Sequence, residues 1–474
     1  ENGIGIYANT KKNPDLASSN LTMIVNNTGN ITGTGANATG IYLDNSTLPR
    51  TSNGSLTLAS TSNIDLKKKK NGIGIYTDTA DISGTGAGTI TVGDNGIGIY
   101  AKNGIAALNN LTLNLYGDNA VGIYTDGINS FTGNGTINLD GKGLILFNIM
   151  GSGGFNQNFN IVSTLDSSYM LANIRNNTLY SNSSANLAEN GIFINGNNSA
   201  VLLEANSNLT SNALNVTGIA LNGAYVGGLP VVIDGQALNQ EATNQGTMSF
   251  GDESTGIYAV NGASAKNEGT ITLRDSSVGI YGRGAGTGVS NTNNITIGGN
   301  SVGLFLEDGK DITNSGEIKS SGEKTVGIYS SNINNLLVSN SGDITLTGDK
   351  NTGIYAVGAG TQTISNSGKI QVGDSSTGSE PSIGIYNNSN SNIINNTGEI
   401  ISGNDSIGIY NNGGQINQSS GKLGIGDSGV GIYTDSGSVN LSGGILDFTG
   451  TDTVGVYGIN GALIDNNIQL NIGD

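Results

Sequence analysis

The chain has no cysteine, no histidine and no tryptophan, and only 4 prolines among 474 residues. Without cysteine there is no disulfide and no thiolate chemistry, which leaves the compartment open and suits an exported chain held by stacking alone. Without histidine there is no Ser-His-Asp triad, no imidazole base and no His/Cys zinc site. Charged residues are scarce at 12%, and 36 Asp and Glu outnumber 19 Lys and Arg for a net charge of −17. That balance argues against binding to a nucleic-acid backbone, which requires basic surface. The run of lysines at 67–70 reads as a solvated turn with its like charges splayed. No uninterrupted apolar stretch approaches the ~20 residues of a membrane helix.

What the chain has in excess is glycine, 77 residues of it, and one recurring phrase. Val326-Gly327-Ile328-Tyr329 is one copy. Others end at Tyr7, Tyr42, Tyr76, Tyr100, Tyr124, Tyr258, Tyr281, Phe305, Tyr355, Tyr386, Tyr410, Tyr433 and Tyr457. The steps 100 − 76, 124 − 100, 305 − 281 and 329 − 305 give a period of about 24 residues, which belongs to solenoids, propellers or arrays. Within one period, residues 326–330, 335–339 and 343–347 are short alternating or apolar runs, separated by Asn, Ser, Gly and Asp. These read as three strands with turns between them. So small a unit cannot bury an apolar side alone and must stack on copies of itself. The expected fold is all-β: a right-handed parallel β-helix (β-solenoid) of about 24 residues and three short strands per coil.

Alternation places Val326 and Ile328 on one face and Gly327 and Tyr329 on the other. The aliphatic pair is assigned to the core and the tyrosines to an exposed structural ladder, with each ring covering a neighbouring glycine. Alternation fixes the period and not the sign, so the reverse orientation stays open. The turn triplets Asn314-Ser315-Gly316, Asn340-Ser341-Gly342 and Asn366-Ser367-Gly368 recur at one phase, where glycine supplies positive φ and stacked asparagines can form side-chain ladders.

Three sections follow from the spacing. Residues 1–147 hold coils with loop excursions near 8–19 and 43–55, where Pro14 and Pro49 sit, and a coil ending at Phe147. Residues 148–255 interrupt the phrase. Residues 256–474 are the most regular. The middle section carries aromatics outside the repeat slot, and long loops on a rigid coil are where solenoids place function. Phe155, Phe159, Tyr169, Arg175, Tyr180 and Tyr225 are therefore the candidate partner-binding residues. Asp94, Asp118, Asp252, Asp349 and Asp427 lie six residues before a slot tyrosine. They are either solvated turn residues or a column with a cation between carboxylates; Ca²⁺ would need six to eight oxygens, and the nonapeptide calcium repeat is absent. The other acids are spread singly over turns. No catalytic residue, metal or cofactor is expected, and a polysaccharide-degrading β-helix is the enzymatic alternative.

Asn95-Gly96-Ile97-Gly98-Ile99-Tyr100 and Val326-Gly327-Ile328-Tyr329, with Asn-Ser-Gly turns between copies, resemble the passenger region of large fusobacterial type V autotransporter adhesins. That group includes the arginine-inhibitable and galactose-binding adhesins. The resemblance covers most of the chain and is weakest over 148–255. It implies a cell-surface segment anchored through a C-terminal outer-membrane barrel outside this sequence, with no membrane insertion of its own. Its partners would be a host receptor or glycan, or surface proteins of other bacteria. The chain opens and closes in mid-pattern, as a passenger fragment would. The matching motif is scaffold, so it transfers no binding residue. A pure spacer, with binding elsewhere in the parent protein, is the further alternative.

Overall fold

The computed structural model describes residues 2–9, 23–44, 54–67, 70–79, 81–84, 88–127, 130–150, 153–163, 169–174, 178–182, 190–194, 200–203, 208–210, 217–222, 225–226, 229–230, 232–233, 236–237, 241–376, 378, 380–448, 450–468 and 470–472. Most of the two expected N-terminal excursions lies outside them. Every regular element among them is a β-strand. The chain forms two compact units, Glu1–Ser211 and Asn212–Asp474, so the middle section expected from the sequence is shared between them.

Each unit is a parallel β-solenoid with three strands per coil. One coil of the second unit consists of Val326–Ser331, Leu336–Asn340 and Asp343–Leu346. Each strand pairs in parallel with its equivalent one coil along: Ile328 with Ile354, Val338 with Ile364, Ile344 with Ile370. These three positions are fully buried, so the interior is a triangular stack of three aliphatic columns. Each buried isoleucine contributes roughly 2 kcal/mol against exposure. The turn ahead of each first strand needs a left-handed residue. Asn95, Asn119, Asn300, Lys324 and Lys350 adopt φ of 52°, 56°, 52°, 54° and 57° there. Asparagine tolerates that region best.

In the first unit three coils differ. Ile105–Leu115, Ser130–Leu139 and Gly153–Ser163 each merge the second and third strands into one. Ile105–Leu115 pairs with both Asp81–Gly84 and Thr89–Val92, and its pairing with Ser130–Leu139 shifts register between Leu108 and Leu111. These coils lack the Asn-Ser-Gly triplet; in the first of them a bulge at Asn109-Asn110 stands at the corner, and the next two pair in unbroken register.

The first sheet corrects the expected orientation of the repeat. Val326 is half-buried, Gly327 and Ile328 are both buried, and Tyr329 is half-buried again. Strict alternation fails at the Gly-Ile step. The tyrosine does face outward, but the residue before the glycine faces outward with it instead of filling the core. The glycine itself faces inward. A Cβ on Gly327 would stand 2.6 Å from the Gly353 carbonyl oxygen and 2.6 Å from Ile344 Cγ2. The space beside the glycine is therefore filled by an isoleucine of the third strand and by the next coil's backbone, not by a ring. A second correction concerns Phe147. Its register partner is Ile123, it is fully buried, and Asn148 occupies the slot opposite Tyr124.

These placements separate two neighbouring substitutions. Gly327→Ala forces a methyl into closed space and is expected to cost about 1–3 kcal/mol. Val326→Thr, on the outer face, is expected to stay within ~0.5 kcal/mol. Urea unfolding midpoints of the two variants measure the difference.

Candidate functional site

The outer face of the first sheet is built by the repeat itself. In the first unit Tyr7, Tyr42, Tyr76, Tyr100 and Tyr124 stack with ring centroids 5.4, 4.6, 5.0 and 4.6 Å apart. In the second unit the stack runs unbroken from Tyr258 through Tyr281, Phe305, Tyr329, Tyr355, Tyr386, Tyr410 and Tyr433 to Tyr457, with steps of 5.0, 4.8, 4.6, 5.2, 4.6, 5.0, 4.8 and 5.6 Å. Offset stacking adds to burial for such pairs. On one side of the rings runs the outward aliphatic column, Ile73, Ile97 and Val121 in the first unit. On the other side, two residues after each ring, Asp44 pairs in register with Asp78, Asp78 with Lys102, and Lys102 with Asp126. The Lys102 ammonium bonds the Asp78 carboxylate at 3.1 Å. The sequence reading missed this acidic border, although a spacing of two from the tyrosine was the signal for it.

Burial pushes the phenols of Tyr42, Tyr76, Tyr100, Tyr281, Tyr329, Tyr386 and Tyr433 up. For Tyr76 the cause is burial first and then the Asp78 carboxylate; for Tyr42, burial and then Asp44; for Tyr281, burial and then Glu307. Each phenolate would lose water and meet negative charge.

The turns are held by side chains that reach one coil along. The buried Asn267, Asn291, Asn314, Asn340 and Asn366 each donate an Nδ2 hydrogen to the side-chain oxygen of the next asparagine, at 2.7–2.8 Å. This is the ladder expected from the turn triplets. The aspartate column is a clamp of the same kind. Asp118 N–H donates to Asp94 Oδ1 at 3.2 Å, Lys142 N–H to Asp118 Oδ1 at 2.9 Å, and Thr451 N–H to Asp427 Oδ1 at 2.7 Å. The Ser376 hydroxyl bonds Asp349 at 2.7 Å and holds that carboxyl below its usual range. Each such carboxylate satisfies a backbone donor of the following coil. Among the described residues no group of three or more carboxylates is placed to hold a metal ion.

The partner-binding candidates scatter. Phe155, Phe159 and Tyr169 are 3%, 0% and 3% exposed, which corrects their assignment to a contact surface. Phe155 stacks on Phe131 at 4.5 Å and meets Phe147 edge-on at 5.2 Å. The cluster fits because Gly133 faces it: a Cβ there would lie 2.4 Å from the Phe131 ring. Arg175 lies outside the described residues. Tyr180 pairs in register with Phe155 in the second sheet, and Tyr225 belongs to a hairpin; the side chains of both lie outside the description.

That hairpin sits in an insertion. Between Thr217–Asn222 and Glu241–Asn244 the chain makes two antiparallel pairings, Tyr225 with Pro230 and Val226 with Leu229, then Val232 with Ala237 and Ile233 with Gln236. They are the only antiparallel pairings among the described residues. The intervening dipeptides are Gly227-Gly228 and Asp234-Gly235, the types that two-residue hairpins select. In the following coil the same corner takes only Asn261, Gly262 and Ala263, between Thr255–Val260 and Ser264–Asn267.

No family model matches the chain, and neither the curated proteins nor the solved structures contain a match.

Asn340→Ala would orphan the Asn314 donor and the Asn366 acceptor, each about 1–3 kcal/mol. A loss of roughly 2–5 kcal/mol by chemical unfolding is expected, against less than ~0.5 kcal/mol for the outward Ser339→Ala.

The ladder also fixes an alkaline limit. The phenols of Tyr42, Tyr76, Tyr100, Tyr281, Tyr329, Tyr386 and Tyr433 titrate above the ordinary value of about 10, so their contribution is complete below that value and is lost as pH rises through the raised one. Part of the phenolate absorbance should appear only above pH ~10 and together with the loss of far-ultraviolet circular dichroism. Ionisation of every phenol by pH ~10 with the fold intact would contradict the desolvation of these seven.

Proposed function

We propose that the chain is an extracellular passenger segment of a bacterial autotransporter adhesin, a stiff solenoid that carries partner-contacting excursions. The observation that carries this reading is the insertion at residues 223–240. It leaves a corner that takes two to four residues in the coils that follow, forms its own antiparallel pairs, and contains a single charged residue, Asp234. The rest of the chain is polar and acidic. An apolar double hairpin held on a stacked scaffold has the form of a contact element for a protein surface. Tyr225 remains a candidate contact there. The clamp role of the turn aspartates supports assigning them to the scaffold rather than to hydrolysis of a polysaccharide. The regularity from Thr255 to Asn466 supports a spacer role for that stretch, with attachment confined to the excursion.

Replacing residues 223–240 with the Asn-Gly-Ala corner of the next coil tests the reading in the full chain. The solenoid's thermal transition should be unchanged. Attachment to receptor-bearing host cells or partner bacteria should fall by about tenfold or more, the loss of a small hot-spot cluster. Unchanged attachment would remove the insertion from the binding surface.

A further inference from the structure

Oxidising equivalents have few places to settle in this chain. It has no cysteine and no tryptophan, 4 methionines and 17 tyrosines. Peroxide takes methionine to its sulfoxide, but a one-electron oxidant is left with the phenols. The fold arranges most of those phenols in single file. Parallel register sets Tyr42 on Tyr76, Tyr76 on Tyr100 and Tyr100 on Tyr124 in the first unit. In the second unit it sets Tyr329 on Tyr355, and then Tyr386, Tyr410 and Tyr433 in succession.

Translation by one coil carries each ring onto the next. The planes of Tyr355 and Tyr386 are 8° apart with centroids at 4.6 Å, and those of Tyr386 and Tyr410 are 9° apart at 5.0 Å. The carbons ortho to one hydroxyl therefore neighbour the carbons ortho to the next. The strands fix this spacing at ~4.8 Å, while the torsion about each Cβ–Cγ bond is soft. The rings are only half-buried, as at Tyr76, Tyr100, Tyr355 and Tyr410, so they can turn on the solvent side. Two groups held this close need no diffusional encounter to react. The file has defined breaks. Phe305, which has no hydroxyl, stands between Tyr281 and Tyr329. Asn148 follows Tyr124. Tyr116 has the Lys67 ammonium 4.3 Å over its ring instead of a second phenol.

We propose that the tyrosine ladder is a modification site, at which an external one-electron oxidant joins neighbouring tyrosines of successive coils as dityrosine and so staples coil to coil. Each of two adjacent phenols gives an electron to the oxidant and its hydroxyl proton to water. The two phenoxyl radicals pair to form one carbon–carbon bond between ortho carbons. The hydrogen on each of those carbons then moves to oxygen and restores the phenol. With persulfate as the electron acceptor, the two electrons break its O–O bond and leave two sulfates. Each link closes a loop of about 24 residues and removes that freedom from the unfolded chain, as a disulfide would. A chain without cysteine has no other side-chain route to such a staple through the stack.

The full chain, dilute and illuminated with tris(bipyridine)ruthenium(II) and persulfate, is the test. Dityrosine fluorescence is expected in the monomer band of a denaturing gel. Peptide mass spectrometry should find links between register neighbours such as Tyr76 and Tyr100 or Tyr386 and Tyr410, none across Phe305 and none to Tyr116. The linked chain should unfold at a higher urea concentration than the untreated one. Tyr355→Phe, Tyr410→Phe and Tyr457→Phe together leave Tyr329, Tyr386 and Tyr433 each between phenylalanines. Phe305 already stacks in this column, so circular dichroism should be unchanged while the links of that stretch vanish and those of the first unit remain. Phe305→Tyr should create new links to Tyr281 and Tyr329. Dityrosine confined to oligomer bands, links as frequent at Tyr116 as within the ladder, residues 329–433 still linked in the triple variant, or an unchanged urea midpoint would each overturn the proposal.

Discussion

Among the described coils, each strand is satisfied by its own equivalent in the neighbouring coil, and that requirement reaches the side chains. Parallel strands about 4.8 Å apart put like residue over like residue, so whatever a position carries it must be able to stack on itself. Isoleucine can, in three interior columns. Asparagine can, because one amide donates to the next and still accepts from the one before. Tyrosine can, by offset stacking. A charged residue cannot do so cheaply: two like charges at ~4.8 Å repel by about 0.9 kcal/mol even in bulk water. The 12% charged content follows from this. Where a column of the third sheet carries charge over several coils the sign tends to alternate, as in Asp343, Lys369, Glu399 and Lys422.

The glycine of the repeat phrase belongs to the same logic. It lies where the first strand must turn both itself and the next residue inward. In that position a side chain would meet the following coil's glycine carbonyl and an isoleucine of the third strand. Removing the side chain lets successive backbones and the third-strand isoleucine close over one another. It also frees the preceding aliphatic residue to stand outside beside the tyrosine. The phrase is therefore a corner-packing device first, and the paired outer columns are its by-product.

The period, the three strands, the asparagine ladder and the outward tyrosines could be read from the sequence, because each repeats at a fixed spacing. The face of Val326 could not. Period-two geometry does not hold across Gly327 and Ile328, and a single break reverses the face of the residue before it. Phe147 misled for a related reason: an aromatic in roughly the right place was matched to the slot, whereas register with Ile123 puts it in the core. Phe155, Phe159 and Tyr169 were placed on loops because the phrase disappears around them. The coils continue there in other residues, with rings filling interior space that Gly133 leaves open. Loss of a repeated motif signals a change in how the core is filled as readily as an exposed loop.

A stack built of self-complementary columns carries little information along its length, since one coil presents nearly the same surface as the next. Specific recognition has to come from positions where the columns change. Two such places stand out: the corner that spans eighteen residues at 223–240 against two to four in the following coils, and the outer column that becomes acidic beside the first unit's tyrosines. Both depart from the pattern of most columns. One adds antiparallel, nearly uncharged hairpins to a parallel polar scaffold. The other stacks Asp44 directly on Asp78, a repulsion met elsewhere only at a few places such as Glu317 on Asp343 and the turn aspartates. A departure that costs stability in a fold built on repetition, and that persists beside regular coils, is where physical selection for something other than stability is to be sought.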